Sequence, residues 1–123
     1  MDVKKMNRTM DGNEAAAWVS YAFTEVATIY LIIPLSPMAE HVDCWSAEGY
    51  LNLFGQRVRL VEMQAEHGAT EAMHGALEAG ALATSYTAAQ GLMLMISPMY
   101  RIAGQLYPGV FHVSSRTMGT PTA

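Results

Sequence analysis

One segment constrains the fold of this chain more than any other: residues 26–33, with the sequence VATIYLII. Apolar side chains occupy both alternating sets of positions, and a strand with that pattern is apolar on both faces. Pro34 and Pro37 follow it and end it. The segment therefore predicts a strand of a parallel sheet that helices cover on both sides.

Helices and further strands alternate with this strand along the chain. Helices are predicted at residues 13–25, 38–48, 66–79 and 91–106, and strands at residues 58–63, 83–88 and 110–115. Asn13 is the expected N-cap of the first helix. The last helix is expected to be interrupted near Pro98 and to pack its methionines, Met93, Met95 and Met99, in the core.

This alternation with short connections predicts an α/β fold, a partial doubly wound parallel sheet with helices on both faces. The 123 residues, about half of them apolar, suit a single domain. No strand is predicted after residue 115, so the domain at residues 1–123 is expected to be incomplete at its C-terminal end.

Charge and cysteine content exclude several classes of protein. Eleven acidic and seven basic residues give a net charge of -4, and no basic stripe is present to follow a phosphate backbone. Nucleic acid is therefore not an expected partner. Cys44 is the only cysteine, so neither an internal disulfide nor an iron–sulfur cluster is expected. No stretch is long and apolar enough for a membrane span, and the N-terminus has no signal-peptide pattern, so the cytoplasm is the expected location.

The candidate functional positions follow the strands, because ligands of such sheets bind at the carboxyl ends of the strands. These positions are residues 33–37, 64–68, 87–91 and 115–117. Glu66 starts a helix there, where a carboxylate either offsets the helix dipole or exchanges a proton with a ring nitrogen. Arg116 is either a surface arginine or a fork for a substrate carboxylate. The residue types alone leave both alternatives open.

Other catalytic motifs are missing. The four histidines lack the spacing of metal ligands, the glycines do not form a phosphate-binding loop, and the serines lack the context of a hydrolase nucleophile. Metal-dependent hydrolysis, dinucleotide binding and serine-hydrolase chemistry are not expected.

Several strings together resemble the first domain of the pyruvate:ferredoxin and pyruvate:flavodoxin oxidoreductases. Their order and spacing match from about residue 4 to residue 116 without a gap, and residues 117–123 form a divergent tail. The strings are MDGN at 10–13, FTEVA at 23–27, SPMAEHVD at 36–43, FGQ at 54–56, VEMQ at 61–64, HGAL at 74–77, QGL at 90–92 and PGVFHV at 108–113.

The resemblance implies a pyrimidine-binding domain of the thiamine-diphosphate type. It implies that Glu66 bonds the aminopyrimidine ring and activates the cofactor, and that Arg116 binds the carboxylate of pyruvate. The family reaction is the oxidative decarboxylation of pyruvate to acetyl-CoA, with electrons passed to ferredoxin or flavodoxin. In this reaction the cofactor accepts the electron pair that decarboxylation releases.

The chain also departs from the family pattern. Ile33 stands where the family has a threonine beside the substrate, so a hydrogen-bonding contact to the 2-oxoacid is expected to be lost. Only the pyrimidine half-site is expected here, without a magnesium site or an iron–sulfur cluster. We therefore expect an N-terminal fragment that is inactive alone and works with the diphosphate-binding domain and other domains of the enzyme. The alternatives are a non-catalytic interaction module and a subunit of a split 2-oxoacid oxidoreductase.

Overall fold

The computed structural model describes residues 9–30 and 37–114, apart from the side chains of residues 89 and 90. Strands and helices alternate along these ranges. The strands are β1 (Val26–Tyr30), β2 (Arg59–Met63), β3 (Ala83–Ala88) and β4 (Val110–Ser114). The helices are α1 (Gly12–Ala22), α2 (Pro37–Ala47), α3 (Glu66–Glu78), α4 (Ala89–Leu92) and α5 (Ile96–Gly104), with a 3-10 turn at Met93–Met95.

The four strands form one parallel sheet in the order β2-β1-β3-β4. The chain leaves β1 for one side of the sheet and builds β2 there. It then passes back over β1 to build β3 and β4 on the other side. The predicted fold, a partial doubly wound α/β sheet with helices on both faces, is confirmed.

Two separate cores cover the two faces of the sheet. Alternate residues of a strand point to opposite faces, and Ala27 and Ile29 of β1 accordingly pack with α1 and α2 around Tyr21 and Trp45. Val26 packs on the opposite face with Met73 and Leu77 of α3 and Ile102 of α5. The helices that follow β1 and β3 therefore lie on opposite faces, α2 on one and α5 on the other.

The helix ends have local causes that the sequence only partly revealed. Asp11, not Asn13, is the N-cap of α1, since its side chain accepts a hydrogen bond of 2.8 Å from the main-chain N–H of Glu14. Asn13 lies inside the helix, and its Oδ1 accepts a hydrogen bond from Ser114 at the end of β4. After α3 the chain turns at Gly80, whose φ of +91° favours glycine.

The helix predicted at residues 91–106 is interrupted, as expected, but the interruption lies at Met93–Met95 and not at Pro98. The chain forms α4, the 3-10 turn and α5 in its place. Pro98 does not interrupt a helix, because it lies in the first turn of α5, where main-chain N–H groups have no partner within the helix. The expected burial of the methionines holds for Met95 but not for Met93, which is 72% exposed.

The other predicted elements differ from the observed ones at their ends. The strand predicted at residues 83–88 has the predicted bounds, and the strand predicted at residues 110–115 is observed to Ser114, with residue 115 outside the described residues. The strand predicted at residues 26–33 is observed to Tyr30, and its remaining positions lie outside the described residues. In the described part of the chain, no helix has the length and apolar character needed to cross a membrane.

Candidate functional site

The carboxyl edge of the sheet has an opening where the strand order reverses. The helices after β1 and β3 leave toward opposite faces, so they diverge at the carboxyl ends of these two neighbouring strands. In open α/β sheets this divergence forms the crevice in which ligands bind. The geometry of the backbone thus indicates a binding position above Tyr30 and Ala88.

Glu66 reaches this crevice although it follows the outer strand β2. It is the first residue of α3, and this helix crosses the face of β1 to reach β3. The preceding residue, Ala65, is extended and has no side chain able to cap the helix. The side chain of Glu66 is half-buried, and the N-terminal end of the helix favours its negative charge.

The carboxylate of Glu66 lies against the main chain of Gly91 in α4. A Cβ atom added to Gly91 would lie 2.8 Å from Glu66 Oε1 and 3.0 Å from Glu66 Cγ. The same Cβ would lie 2.3 Å from Oγ1 of Thr87, the fifth residue of β3. Glu66, Thr87 and Gly91 therefore converge on one small space at the end of β3.

Hydroxyl groups lie below this space on the same face of the sheet. Thr28 and Ser85 are paired positions of β1 and β3, and Ser85 Oγ donates a hydrogen bond of 2.9 Å to the carbonyl of Thr28. The Thr28 hydroxyl is buried, and no hydrogen-bond partner for it lies among the described residues. Thr70 Oγ1 donates to the carbonyl of Glu66. The interior beneath Glu66 is thus lined by small polar side chains.

A second recess lies at the same edge, at the ends of β1 and β2. It has a volume of about 520 Å³ and is lined by Tyr30, Glu62, Met63 and Gln64. Within residues 9–30 and 37–114, no three His, Cys, Asp or Glu side chains come together in a way that can hold a metal ion.

The opposite face of the sheet carries a different polar cluster. Ser20 Oγ and the Tyr86 hydroxyl are 2.6 Å apart, and Thr24 Oγ1 and Thr84 Oγ1 are 2.8 Å apart. Burial raises the pKa of Tyr86. The ring of His112 stacks on that of Tyr86 with centroids 5.3 Å apart, and burial lowers the pKa of His112. These contacts join α1 to the sheet and lie away from Glu66.

An apolar groove of about 400 Å³ borders this cluster, between α1 and the strands β3 and β4. Val19, Phe23 and Val110 line it and are each about half exposed. The groove is therefore an apolar surface on the α1 face, separate from the crevice at the carboxyl edge.

The sequence indicated the carboxyl edge of the sheet but gave no sign of two components of the crevice. It selected Glu66 and the strand-end segment at residues 87–91, and the structure brings Glu66 next to Thr87 and Gly91. It gave no role to either of these partners. Ile33 and Arg116 lie outside the described residues, so their predicted positions beside a substrate stay predictions.

Comparison with known proteins shows the family of the chain. The model of the family described as pyruvate flavodoxin/ferredoxin oxidoreductase, thiamine diphosphate-binding, matches residues 18–123. The chain belongs to this family. The predicted relationship is thereby confirmed, and thiamine diphosphate is the cofactor of the domain family to which the chain belongs.

Relatives of this oxidoreductase family match most of the chain but only a small part of their own length. The pyruvate-flavodoxin oxidoreductase of Klebsiella pneumoniae is 69% identical over 113 residues, which are 92% of this chain and 10% of that protein. The pyruvate:ferredoxin oxidoreductase of Moorella thermoacetica is 58% identical over 113 residues, with the same coverage. The chain thus spans about a tenth of the length of these relatives, as expected for a part of a longer oxidoreductase.

A solved structure shares the fold. The 2-oxoglutarate:ferredoxin oxidoreductase from Magnetococcus marinus, solved with 2-oxoglutarate, coenzyme A and succinyl-CoA bound, superposes with a TM-score of 0.72 over 90% of this chain and 18% of that one. The two sequences are 22% identical. The architecture of the oxidoreductase domain is therefore preserved at low sequence identity.

Proposed function

We propose that this chain supplies the glutamate that activates thiamine diphosphate in a pyruvate:ferredoxin or pyruvate:flavodoxin oxidoreductase. The observation that carries the proposal is the position of Glu66, whose carboxylate lies at the carboxyl edge of the sheet, where the helices after β1 and β3 diverge. A carboxylate in such a crevice can hold a hydrogen bond to a ring nitrogen and exchange a proton there. Bound thiamine diphosphate would supply the electron sink for decarboxylation.

Three residues of this chain have separate proposed roles at the site. The Glu66 carboxylate bonds the pyrimidine ring, and α3 fixes the direction from which it approaches. Arg116 is proposed to bind the carboxylate of the 2-oxoacid through its guanidinium fork. Ile33 offers no hydrogen bond where the family has a threonine, so contact with the substrate is weakened at that position. The roles of Arg116 and Ile33 rest on the family resemblance.

The rest of the reaction is assigned to other parts of the polypeptide. Because the chain spans about a tenth of its relatives, the diphosphate, its magnesium ion and the iron–sulfur clusters are proposed to bind elsewhere. Ferredoxin or flavodoxin would then contact the whole enzyme and not this domain. The chain alone is expected to be inactive, and the proposed compartment is the cytoplasm.

The test is a hybrid enzyme in which this chain replaces the matching segment of the Klebsiella pneumoniae pyruvate-flavodoxin oxidoreductase. The hybrid is prepared with and without Ile33→Thr and assayed with pyruvate, CoA, thiamine diphosphate and a viologen dye. We expect dye reduction by the hybrid, a higher rate with Ile33→Thr, and no reduction by the chain alone.

Glu66→Gln in this hybrid tests the role of the carboxylate directly. The amide keeps the size of the side chain but cannot exchange the proton, so the rate should fall at least roughly 100-fold. Glu48→Gln, at an exposed carboxylate just after α2, is the matched control and should leave the rate unchanged. Full activity of the Glu66→Gln hybrid would contradict the proposal.

A second candidate function is a non-catalytic interaction module or a subunit of a split enzyme. The apolar groove lined by Val19, Phe23 and Val110 favours it, since exposed apolar surface of this kind often marks a protein contact. Size-exclusion chromatography of the chain mixed with the remaining part of the Klebsiella pneumoniae enzyme separates the two functions. A stable complex that reduces no dye would favour the module.

A further inference from the structure

The carboxylate of Glu66 lies close beside the main chain of Gly91 in α4. Contacts of a real Cβ almost never fall below about 3 Å, and van der Waals contact between heavy atoms begins near 3.5 Å. Any side chain at residue 91 would meet Glu66 Oε1 at 2.8 Å and Thr87 Oγ1 at 2.3 Å. Glycine at this position is therefore what allows the carboxylate to lie where it does.

The two glycines inside α3 carry no such requirement. Gly75 lies in the middle of α3, and a Cβ atom added there would meet no atom within 4 Å. Gly68, in the first turn of the same helix, would meet only the side chain of Met63, at 3.6 Å. A side chain at residue 91 would thus force Glu66 and Thr87 to shift, whereas one at residue 68 or 75 would not.

We propose that Gly91 and Thr87 form a seat for the Glu66 carboxylate and thereby set its position for catalysis. The inference rests on the proposed function of Glu66 and deepens it. Gly91 leaves room for Oε1 to approach the main chain of α4, and Thr87 bounds the same space from β3. Gly91 and Thr87 are positioning residues, because they act through Glu66.

Thr87 provides a polar side chain at the boundary of the seat. Its side chain is buried, and its hydroxyl makes a long hydrogen bond of 3.3 Å to the carbonyl of Ala88. The hydroxyl therefore presents an oxygen to the space that Glu66 Oε1 also faces. Valine at this position would keep the shape but place a methyl group beside the carboxylate, and an ionised group next to a methyl group loses polar contacts.

The first test measures the geometry in the chain itself by nuclear magnetic resonance. Because Glu66 Cγ lies 3.0 Å from the position of a Cβ on Gly91, the γ protons of Glu66 and the α protons of Gly91 should give a strong Overhauser cross-peak. In Gly91→Ala the corresponding cross-peak should weaken, while it should persist in Gly75→Ala. Absence of the cross-peak in the unchanged chain would overturn the proposal without any variant.

The second test uses the hybrid enzyme and separates positioning from folding. Gly91→Ala should lower kcat roughly 100-fold, as expected when a reacting group is misplaced by about 1 Å, with the KM for pyruvate unchanged. The circular dichroism spectrum of bound thiamine diphosphate should change with it, since that spectrum reports the state of the pyrimidine ring. Gly75→Ala should change neither quantity.

Thr87 provides an independent pair of variants. Thr87→Val should lower kcat about tenfold, because a methyl group then lies beside the carboxylate in place of the hydroxyl, and Thr87→Ser should restore it because serine keeps the hydroxyl. Equal rates for Thr87→Val and the unchanged hybrid, or equal kcat for Gly91→Ala and Gly75→Ala, would overturn the seat.

Failure of this inference differs from failure of the proposed function. If Glu66→Gln abolishes dye reduction while Gly91→Ala does not affect it, Glu66 is catalytic and the seat is wrong. If Glu66→Gln leaves dye reduction intact, the proposed function fails, and the seat for catalysis fails with it even where the Overhauser cross-peak is present.

Discussion

The two edges of the sheet each carry a glutamate, and the two carboxylates have different surroundings. At the amino edge, Glu25 Oε1 accepts a hydrogen bond of 2.9 Å from the main-chain N–H of Leu82. At the carboxyl edge, the Glu66 side chain lies against Gly91, and no hydrogen bond to its carboxylate is found in the described part of the chain, which leaves out the side chains of residues 89 and 90. A carboxylate bound by the main chain stabilises the fold, whereas one without such a bond is available to a ligand.

This comparison extends to the neighbours of the two glutamates. At the amino edge, buried hydrogen bonds join α1, the loop before β2 and the strands. At the carboxyl edge, the buried hydroxyl of Thr28 has no partner among the described residues, and that of Thr87 has a long one. We infer that substitutions at the amino edge reduce stability, while substitutions at the carboxyl edge reduce activity and leave the fold largely intact.

The largest expected effect on stability is at Asn52, which holds the loop before β2 to the amino edge. Its Nδ2 donates a hydrogen bond of 2.8 Å to the carbonyl of Thr24, and its Oδ1 accepts from the main-chain N–H groups of Phe54 and Gln56. Asn52→Ala should lower the free energy of unfolding by about 3 kcal/mol, because several groups lose their buried partners. Urea denaturation measures the change.

The matched control for this variant is Gln56→Ala. The Gln56 side chain is exposed, and its contacts with Asn52 use main-chain atoms that the substitution keeps. A change of less than about 0.5 kcal/mol is expected for it. If Asn52→Ala proved no more destabilising than Gln56→Ala, the hydrogen bonds of the amino edge would not be what stabilises the fold.

The two glutamates themselves give the most direct comparison. Glu25→Ala removes a charge-assisted hydrogen bond to the main chain of Leu82, so a loss of about 2 kcal/mol in the free energy of unfolding is expected. Glu66→Ala removes only a favourable interaction with the N-terminal end of α3 and should cost at most about 1 kcal/mol. Thermal and urea unfolding of both variants check the order, and a larger loss for Glu66→Ala would reverse the assignment of the two edges.

The fold could be predicted from the sequence wherever its signal was local. The apolar pattern of β1 and the alternation of elements led to the parallel sheet, and β3 was predicted with its observed bounds. The segment at residues 91–106 was predicted less well, because Pro98 suggested the position of the interruption and the apolar side chains suggested burial. The chain forms a 3-10 turn there and exposes Met93 and Leu94, and no local signal in the sequence marks that turn.

The candidate site could be predicted only to the level of a strand end. The rule that ligands bind at the carboxyl ends of strands selected Glu66 and residues 87–91, but their contact depends on how α3 crosses β1. The fit of a carboxylate against Gly91 is a tertiary property, and no spacing in the sequence encodes it. Asn52 gave only the weak signal of an asparagine before a turn that contains Gly55.

The smallest expected effect separates two buried threonines, one near each edge. Thr24 Oγ1 donates a hydrogen bond of 2.6 Å to the carbonyl of Ser20 and lies 2.8 Å from Thr84 Oγ1. Thr87 Oγ1 has the longer bond of 3.3 Å to the carbonyl of Ala88. Valine matches the shape of threonine, so each substitution tests the hydroxyl group.

Thr24→Val should therefore lower the free energy of unfolding by about 1.5 kcal/mol, since it removes a short buried bond and leaves Thr84 without that partner. Thr87→Val should cost less than about 0.5 kcal/mol, because a bond near the limit of hydrogen-bond geometry contributes little. Urea denaturation under identical conditions decides between them. Equal losses would mean that the Thr87 hydroxyl also stabilises the fold. The contrast between an amino edge that stabilises the fold and a carboxyl edge that serves activity would then rest on Glu25 and Glu66 alone.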